Sequence, residues 1–322
     1  TAGFTCSLAP IAFRLKSSLR DVVNNSRHDN VPAKFHNETD SMPVPSTKSR
    51  WGEAPYLAVL TEPDACTSVK RVEETIRAIE QATLDGGVNL VVLRVADVSG
   101  DGIALHKWAL LKSLAEMKNR QPFLLVVNDD VDIVLKALSN NIAVDGVHVK
   151  EHKAYMIPSI RRELEHVVTC SFKQSNSMHK DIIIGTSCHS LQSATRSYQL
   201  SPCGPDYLFV GTCYLTQSHP EKQSLEQLEG PSLPGRVKQE LYQIYNDRIS
   251  HGSDTNSQSN SKKIEPPPII FAIGGIDKQN CHEPVATFGA DGVATIRAVM
   301  HASAPRDVVQ FMKRIMTKQL DG

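Results

Sequence analysis

The sequence lacks several features that mark common classes of protein. Aromatic residues make up only 6% of its 322 residues, and Lys+Arg and Asp+Glu each number 35, so the formal net charge is zero. Without a basic excess or many side chains for base stacking, the composition gives no support to binding of nucleic acid or of a membrane surface. No apolar run approaches the ~20 residues of a membrane-spanning helix. We therefore expect neither a nucleic-acid partner nor a membrane partner.

The cysteines also lack a recognisable pattern. They are odd in number, widely spaced, and form no C-x-x-C pair, which is the spacing that a structural zinc site or a redox pair uses. We therefore expect free thiols in a reducing compartment. The seven cysteines are Cys6, Cys66, Cys170, Cys188, Cys203, Cys213 and Cys281.

An N-terminal segment, residues 1–52, has no sustained apolar period, and polar residues and proline cluster between Asn24 and Ser49. This composition predicts a disordered extension. Within it, Thr1 to Arg20 contains basic residues, no acidic residue, and many Ser, Thr and Ala. Two interpretations fit this stretch: the remnant of a plastid or mitochondrial transit peptide, or a disordered tail without an address on a cytoplasmic protein.

From Pro55 onward, short apolar segments alternate with amphipathic ones, which predicts β/α units around a parallel sheet covered on both faces. Eight units favour a TIM (β/α)8 barrel over an open doubly wound sheet, and no G-x-G-x-x-G follows the first strand. We expect one barrel domain at 53–322, with a flexible insertion at 251–268 before strand seven. The predicted strands are Tyr56–Leu60, Val88–Leu93, Phe123–Val127, Asp145–Val149, Ile182–Thr186, Asp206–Val210, Ile269–Ile273 and Gly292–Ile296. The predicted helices are Val69–Leu84, Ile103–Met117, Val131–Leu138, Ala154–Leu164, Ser190–Leu200, Lys278–Phe288 and Pro305–Lys318.

The last two units carry a pattern typical of phosphate binding. Strand seven ends in Gly274-Gly275, and strand eight ends near Ile296, just before Arg297. Two glycines let backbone N–H groups approach an anion, because no Cβ stands in the way. In this fold the loops after strands seven and eight often hold a phosphate. We expect Gly274, Gly275, the backbone at Ile296 and the Arg297 side chain to bind one.

Polar and basic side chains follow the other strands, where this fold places its chemistry. Arginine and lysine can pair with phosphate or carboxylate, His189 can move a proton near neutral pH, and Asp129 can bind Mg²⁺ or cap the next helix. His189 also fits a hydrogen-bonded barrel histidine, and a structural role is favoured for His148. The candidates at these strand ends are Arg94, Asn128, Asp129, His148, Lys153, Ser187, His189, Thr216 and Ser218.

The order of these motifs resembles the thiamine phosphate synthase/TenI (thiazole tautomerase) superfamily from Tyr56 to the end of the chain. The motifs are LR, VVND, DGVHV, IIGTSCHS, DYLFVGTCYLT, AIGGI and GADGVA. The resemblance implies a TIM barrel and a role in thiamine biosynthesis. Synthase members join a hydroxymethylpyrimidine diphosphate to a thiazole phosphate with Mg²⁺, releasing pyrophosphate. Tautomerase members shift a proton on a carboxylated thiazole phosphate and need no cofactor; Ser187–Ser190 matches their S-x-H-S motif, whose histidine is the proposed acid/base.

This sequence departs from the synthase pattern at three places. Where synthases have Q-L-R-E-K, Val92–Ala96 keeps only the arginine; Lys153 stands at the position of a metal-binding aspartate; and Leu215–His219 keeps the hydroxyls of P-T-x-T-K but loses its lysine. The retained Asn128-Asp129 pair favours a synthase. The losses favour a tautomerase, because a proton shift needs only an anion clamp and one base.

We therefore expect a thiazole phosphate ligand and a tautomerase-like reaction. In it, His189 would transfer the proton, and Ser187 and Thr216 would orient the ring, while Arg94, Asn128, Lys153 and Ser218 would contribute to binding. The alternative is a thiamine-phosphate synthase with Mg²⁺ at Asp129. A second alternative is a non-catalytic ligand-binding barrel, and self-association into a homo-oligomer is left open.

Overall fold

A closed barrel of eight parallel strands forms the centre of the molecule, in a computed structural model that describes residues 50–95, 101–172, 181–200, 202–217, 220–252 and 264–318. Each strand pairs with the next, and the last pairs with the first through Tyr56–Gly292 to Val59–Thr295. The TIM-barrel prediction is confirmed. The strands are Tyr56–Leu60 (β1), Leu90–Leu93 (β2), Leu124–Asn128 (β3), Gly146–Val149 (β4), Ile183–Cys188 (β5), Tyr207–Val210 (β6), Ile269–Ile273 (β7) and Gly292–Thr295 (β8).

Helices surround the barrel. They are Val69–Thr83 (α1), Asp101–Met117 (α2), Val131–Ser139 (α3), Ile157–Phe172 (α4), Leu191–Tyr198 (α5), Leu233–Gly252 (α6), Arg297–Met300 (α7) and Pro305–Lys318 (α8). Short 3-10 segments occupy Leu84–Gly86, Glu151–Met156 and Leu225–Gln227. Asp130, not Asp129, caps α3, because its side chain accepts the Ile133 N–H at 3.0 Å.

Two helical predictions were wrong. No helix was predicted between β6 and β7, yet α6 lies there and buries Leu233, Val237 and Leu241 at a spacing of four, which is one face of a helix. The helix predicted at Lys278–Phe288 is instead a turn followed by a single π-helical turn at Glu283–Thr287. Asp277 and Asn280 cap this turn reciprocally, since the Asp277 carboxylate accepts the Asn280 N–H and the Asn280 side chain accepts the Asp277 N–H.

Side chains alternate between two cores along each strand. In β1, Leu57 and Val59 pack toward the helices, whereas Ala58 and Leu60 point into the barrel with Phe209. The interior is thus filled rather than open, as the fold requires.

Trp51 closes this interior from the amino-terminal side. Its side chain is 4% exposed, and its ring centroid lies 5.6 Å from that of Tyr207 and 5.9 Å from that of Phe271. Asn89 donates to the Trp51 carbonyl at 2.6 Å and accepts the Leu57 N–H at 2.8 Å, which ties the segment to β1. The domain boundary predicted after residue 52 therefore omitted a residue that belongs to the barrel core.

Some predictions fall outside the described residues. These are the extension at 1–49, residues 253–263 of the predicted insertion, and Ser218. Within the described ranges, every cysteine is a free thiol. None of the helices described is both long enough and apolar enough to cross a membrane.

Candidate functional site

A cavity of about 870 Å³ opens at the carboxyl end of the barrel strands. This volume lies in the range of about 300–1,000 Å³ that small-molecule sites occupy. Most of the residues predicted from the sequence line it: Arg94, Asn128, Ser187, His189, Thr216, Gly274, Gly275, Ile296 and Arg297. Asp129 lies beside the cavity, because it forms an ion pair with Lys150, which lines it. Lys153 forms an ion pair with the same carboxylate.

The two glycines after β7 adopt conformations that side chains rarely reach. Gly274 has φ +99 and Gly275 φ +66, and a Cβ on Gly275 would lie 2.6 Å from the Leu215 carbonyl oxygen. The Asn280 side chain donates to the Gly275 carbonyl at 2.9 Å, and the Tyr214 N–H donates to the Gly274 carbonyl at 2.9 Å. The loop is therefore held close to the loop after β6, with its backbone exposed toward the cavity as a phosphate site needs.

Arg297 connects the loop after β8 with the loop after β6. Its guanidinium donates to the Thr216 hydroxyl at 2.8 Å and to the Gln217 side-chain oxygen at 2.6 Å. Thr295 supports this arrangement, because its hydroxyl donates to the Ile276 carbonyl at 2.8 Å. Arg297, which was predicted to bind the phosphate, and Thr216, which was predicted to orient the thiazole ring, therefore lie side by side on the cavity wall.

Arg94 follows β2, which is two strands away from β8 in the closed barrel. Its backbone is fixed to the end of β1, since its N–H donates to the Thr61 hydroxyl at 2.8 Å and the same hydroxyl donates to its carbonyl at 2.7 Å. The charge of Arg94 reaches the His148 imidazole, whose pKa it helps to lower. Two cationic groups, Arg94 and Arg297, thus border one cavity at separate strand ends.

A buried hydrogen-bonded chain positions Ser187. His148 is 3% exposed; its Nδ1 lies 3.0 Å from the Tyr207 hydroxyl and its Nε2 3.0 Å from the Ser187 hydroxyl. Burial lowers the pKa of His148 to about 3 and raises that of Tyr207 well above 10, so the imidazole is neutral and the phenol keeps its proton. The two contacts join opposite nitrogens of one neutral ring to two hydroxyls, so His148 links Tyr207 to Ser187 and fixes the position of the Ser187 side chain.

His189 lies between two carboxylates. Its Nε2 is 3.9 Å from Glu151 and its Nδ1 is 4.0 Å from Glu229, while Nδ1 also hydrogen-bonds the Gly211 carbonyl. Because a carbonyl only accepts, the Nδ1 nitrogen carries the proton, and Nε2 is the basic nitrogen of the neutral ring. The predicted proton carrier thus has a defined tautomer and lines the cavity.

Glu229 and Lys222 were not predicted from the sequence. Glu229 accepts the Thr212 N–H at 2.6 Å and pairs with Lys222 at 2.6 Å. Partial burial opposes ionisation of Glu229, yet the Lys222 ammonium and the Thr212 N–H hold its pKa below the usual value. Both residues belong to a polar segment between β6 and α6, and no periodic pattern indicated that this segment folds back over the strand end.

Asp129 is bound by two lysines. Its carboxylate lies 2.9 Å from the Lys153 ammonium and 3.1 Å from that of Lys150. Burial opposes its ionisation, but these hydrogen bonds hold its pKa below the usual value. In the described part of the chain, no group of three His, Cys, Asp or Glu side chains is placed to hold a metal ion. Since Mg²⁺ is bound through carboxylates rather than ammonium groups, the residues around Asp129 do not fit it as they are arranged.

Comparison with known proteins gives a consistent result. The profile of the family described as thiamine monophosphate synthase matches residues 57–233. The chain is 29% identical over 225 residues to the thiamine-phosphate synthase of Geobacillus kaustophilus, covering 69% of this chain and 77% of that protein. It is 25% identical over 251 residues to the thiamine-phosphate synthase of Pyrococcus furiosus, covering 78% and 93% of the two chains.

A solved structure agrees on the fold. The thiamine phosphate pyrophosphorylase from Pyrococcus furiosus superposes with a TM-score of 0.51 at 22% sequence identity, covering 82% of this chain and 96% of that one. A likeness at that identity bears on the fold alone, because one fold hosts many activities.

Proposed function

The chain belongs to the thiamine monophosphate synthase family, and from that premise we propose that it acts in thiamine biosynthesis by joining a hydroxymethylpyrimidine diphosphate to a thiazole phosphate. In this reaction a carbon–nitrogen bond forms to the thiazole while the bond between the pyrimidine methylene carbon and the diphosphate oxygen breaks. Pyrophosphate leaves with the bonding electrons. The enzyme must therefore bind one phosphate and neutralise one departing diphosphate.

The observation that supports this proposal is that two regions suited to anion binding line one cavity, at the ends of different strands. Gly274, Gly275 and Arg297 form one region, and Arg94 with Lys150 forms the other. A thiazole phosphate in the first region would direct its ring toward the barrel axis, where the Ser187 hydroxyl is positioned by His148. The diphosphate would lie in the second region, beside Asn128.

The synthase is proposed first here, whereas the sequence alone favoured the tautomerase. The sequence favoured the tautomerase because two basic positions of the synthase pattern are lost. The relatives compared are named synthases, which supports the condensation that stood as the alternative. Lys150 and Lys153 lie directly after β4. Their positive charges could compensate for the two basic positions of the synthase pattern that this chain lacks.

Proton transfer by His189 is the second candidate, and the position of that imidazole favours it. A basic Nε2 beside Glu151, with Nδ1 fixed by Gly211, is the arrangement that a general acid/base requires. In a tautomerase, Nε2 would carry the proton between ring atoms of a carboxylated thiazole phosphate, and Glu151 and Glu229 would stabilise the imidazolium that forms.

One experiment separates these functions. The full chain is mixed with hydroxymethylpyrimidine diphosphate, thiazole phosphate and Mg²⁺, and thiamine phosphate is measured by chromatography. We expect product, and lower yield from Arg94→Met. A parallel reaction contains only the carboxylated thiazole phosphate. Isomerisation there, abolished by His189→Ala, with no product in the first reaction, would replace the synthase proposal by the tautomerase. Binding of thiazole phosphate without turnover of either kind would exclude both.

The cation-rich stretch Thr1–Arg20 supports the further proposal of a plastid or mitochondrial address. Fusing residues 1–52 to a fluorescent protein tests it: we expect import into one of these organelles. A diffuse cytoplasmic signal would contradict the proposal.

A further inference from the structure

Leu215, in the loop after β6, is an apolar residue that lines the cavity and is nevertheless 48% exposed. Resting on the ligand class of the function proposed above, we propose that Leu215 is a specificity-determining residue. Its side chain covers the aromatic ring of a ligand whose phosphate is held by the glycine loop, and this contact makes the cavity prefer an aromatic phosphate ester to a sugar phosphate.

The residues on both sides of Leu215 are fixed to neighbouring loops. The Tyr214 N–H donates to the Gly274 carbonyl at 2.9 Å, and the Thr216 hydroxyl accepts from the Arg297 guanidinium at 2.8 Å. An isolated exposed leucine on a protein surface needs no explanation. Here the backbone is held before and after the leucine, so the fold itself keeps an apolar side chain at the wall of a cavity.

Leu215 also lies beside the two parts of the predicted phosphate site. A Cβ on Gly275 would lie 2.6 Å from the Leu215 carbonyl oxygen, so the two backbones are in contact. The residue after Leu215 is Thr216, which binds Arg297. A ligand whose phosphate lies between Gly275 and Arg297 therefore brings the group next to that phosphate close to Leu215.

The buried part of the same cavity is apolar. Three of the residues that form it belong to the barrel interior and are 4% exposed or less, and two isoleucines at strand ends pack against them. These five residues are Leu60, Phe209, Ala294, Ile273 and Ile296. Leu215 is far more exposed and so lies nearer to solvent. A flat ring that rests on the buried residues loses water from one face, and Leu215 is placed to cover another part of it.

An apolar surface of this kind discriminates by the chemistry of the ligand. The faces of an aromatic ring carry no hydrogen-bonding group, so their burial against leucine and isoleucine is favourable. A sugar carries hydroxyl groups, which would lose their hydrogen bonds to water against the same residues without gaining others. The ligand class is therefore a phosphate ester that carries an aromatic ring on a short chain.

Calorimetry on the full chain tests this role with three probes: 2-phenylethyl phosphate, ribose 5-phosphate and inorganic phosphate. We expect Leu215→Ala to bind 2-phenylethyl phosphate about tenfold more weakly, because part of the ring is returned to water. Its affinities for ribose 5-phosphate and inorganic phosphate should stay at the wild-type values. Leu215→Met should restore most of the affinity for the aromatic probe, because methionine is apolar and similar in volume.

Leu225→Ala is the matched control. Leu225 is a leucine that is 70% exposed in the 3-10 segment Leu225–Gln227, and it does not line the cavity. All three affinities should therefore equal those of the wild type. An equal loss of affinity for all three probes in Leu215→Ala would show that Leu215 only supports the phosphate loop. Unchanged affinity for the aromatic probe would likewise overturn the proposal.

Nuclear magnetic resonance of the wild-type protein removes any dependence on a variant's folding. With leucine methyl groups labelled, 2-phenylethyl phosphate should shift the Leu215 resonances strongly, because the circulating electrons of a ring change the field at atoms stacked on it. Inorganic phosphate should shift them little, and neither probe should shift those of Leu225. Leu215 resonances that respond alike to both probes would refute the contact.

Turnover separates this role from the synthase function. In the synthase reaction we expect Leu215→Ala to raise KM for thiazole phosphate. Formation of thiamine phosphate with an unaltered KM in Leu215→Ala would preserve the synthase and exclude the role of Leu215. Preference for the aromatic probe that depends on Leu215, in a protein that forms no thiamine phosphate, would preserve this role and exclude the synthase.

Discussion

The Nε2 atom of His148 lies 3.0 Å from the hydroxyl of Ser187. This contact links the buried interior of the barrel to the cavity, because the other nitrogen of the same ring meets the Tyr207 hydroxyl. Gly185 makes room for this chain, since a Cβ there would lie 2.0 Å from the Tyr207 ring. A structural role was predicted for His148, and its contact with Ser187 means that this role includes holding a residue that lines the cavity.

Removing the far end of this chain should affect turnover more than binding. In Tyr207→Phe the Nδ1 nitrogen of His148 loses its hydrogen-bond partner, so the imidazole is held less firmly and orients Ser187 less well. We expect kcat to fall about tenfold, the size of one hydrogen bond's contribution, with KM for thiazole phosphate unchanged. Steady-state kinetics checks this. A change confined to KM would show that the chain serves binding instead.

The buried imidazole also predicts how stability depends on pH. Burial lowers the pKa of His148 from 6.5 to about 3 in the folded protein. Between these values the unfolded chain binds a proton at this residue and the folded chain does not, so the free energy of unfolding falls as pH falls from 6.5 toward 3. This stabilising contribution is complete above pH 6.5.

Urea titrations across that pH interval measure the effect. His148→Asn retains hydrogen-bonding atoms but cannot titrate, so its stability curve should decline less steeply below pH 6.5 than that of the wild type. The two curves should run parallel above that pH. Parallel curves throughout would mean that His148 is not buried in its neutral form.

The barrel was predictable because its signal is repeated. Seven of the eight strands contain apolar residues for both the interior and the helix side, such as Ala58 and Leu60 for the interior and Val59 for the helix side, and parallel strands buried on both faces read as continuous apolar runs. The glycine pair was predictable for a similar reason, since Gly274 and Gly275 follow a strand directly and their backbone conformations exclude most other residues.

The parts that were missed depend on contacts between distant segments. Lys222 and Glu229 contact Thr212 at the end of β6 because the chain folds back toward that strand. Polar loop residues have no hydrophobic periodicity from which this conformation could be predicted. Trp51 was assigned to the disordered extension because it is one aromatic residue in a polar stretch. The ion pairs of Asp129 join the end of β3 to the turn after β4. The strand order predicted that these residues lie close together, but not which charged groups pair.

The glycine loop makes a prediction that separates conformational cost from lost space. Alanine at Gly275 must adopt φ +66 and also lies 2.6 Å from the Leu215 carbonyl oxygen. Gly289 has φ +82 with open space around it, so Gly289→Ala is a matched control. Both variants should lose about 1–2 kcal/mol of stability for the left-handed conformation. Only Gly275→Ala should displace the loop after β6 and weaken binding of inorganic phosphate, by about tenfold or more.

Calorimetric titration with phosphate and urea unfolding measure the two effects separately. Phosphate affinities at the wild-type value in both Gly275→Ala and Gly289→Ala would exclude the glycine loop from the phosphate site. A phosphate affinity lowered equally in both variants would attribute the effect to general loss of order, because Gly289 does not line the cavity.

Trp51 should contribute to stability at the end of the barrel opposite the cavity. Its ring fills the interior between Tyr207 and Phe271, so Trp51→Ala should leave a cavity and lower the free energy of unfolding by about 3–5 kcal/mol. Trp108 on α2 is a control of the same type: it is only half-buried and lies under Lys136, 4.6 Å from its ring centroid. Trp108→Ala should therefore cost clearly less.

Urea unfolding at equilibrium compares the two tryptophan variants. A chain that begins at Gly52 should lose at least as much stability as Trp51→Ala, because it removes the same ring and also the Trp51 carbonyl that accepts from Asn89. If deletion and substitution both leave stability unchanged, the segment before β1 does not belong to the core, and the boundary predicted from the sequence would stand. The hydrogen bond from Asn89 to the Trp51 carbonyl argues for the first outcome, since it fixes the backbone as well as the ring.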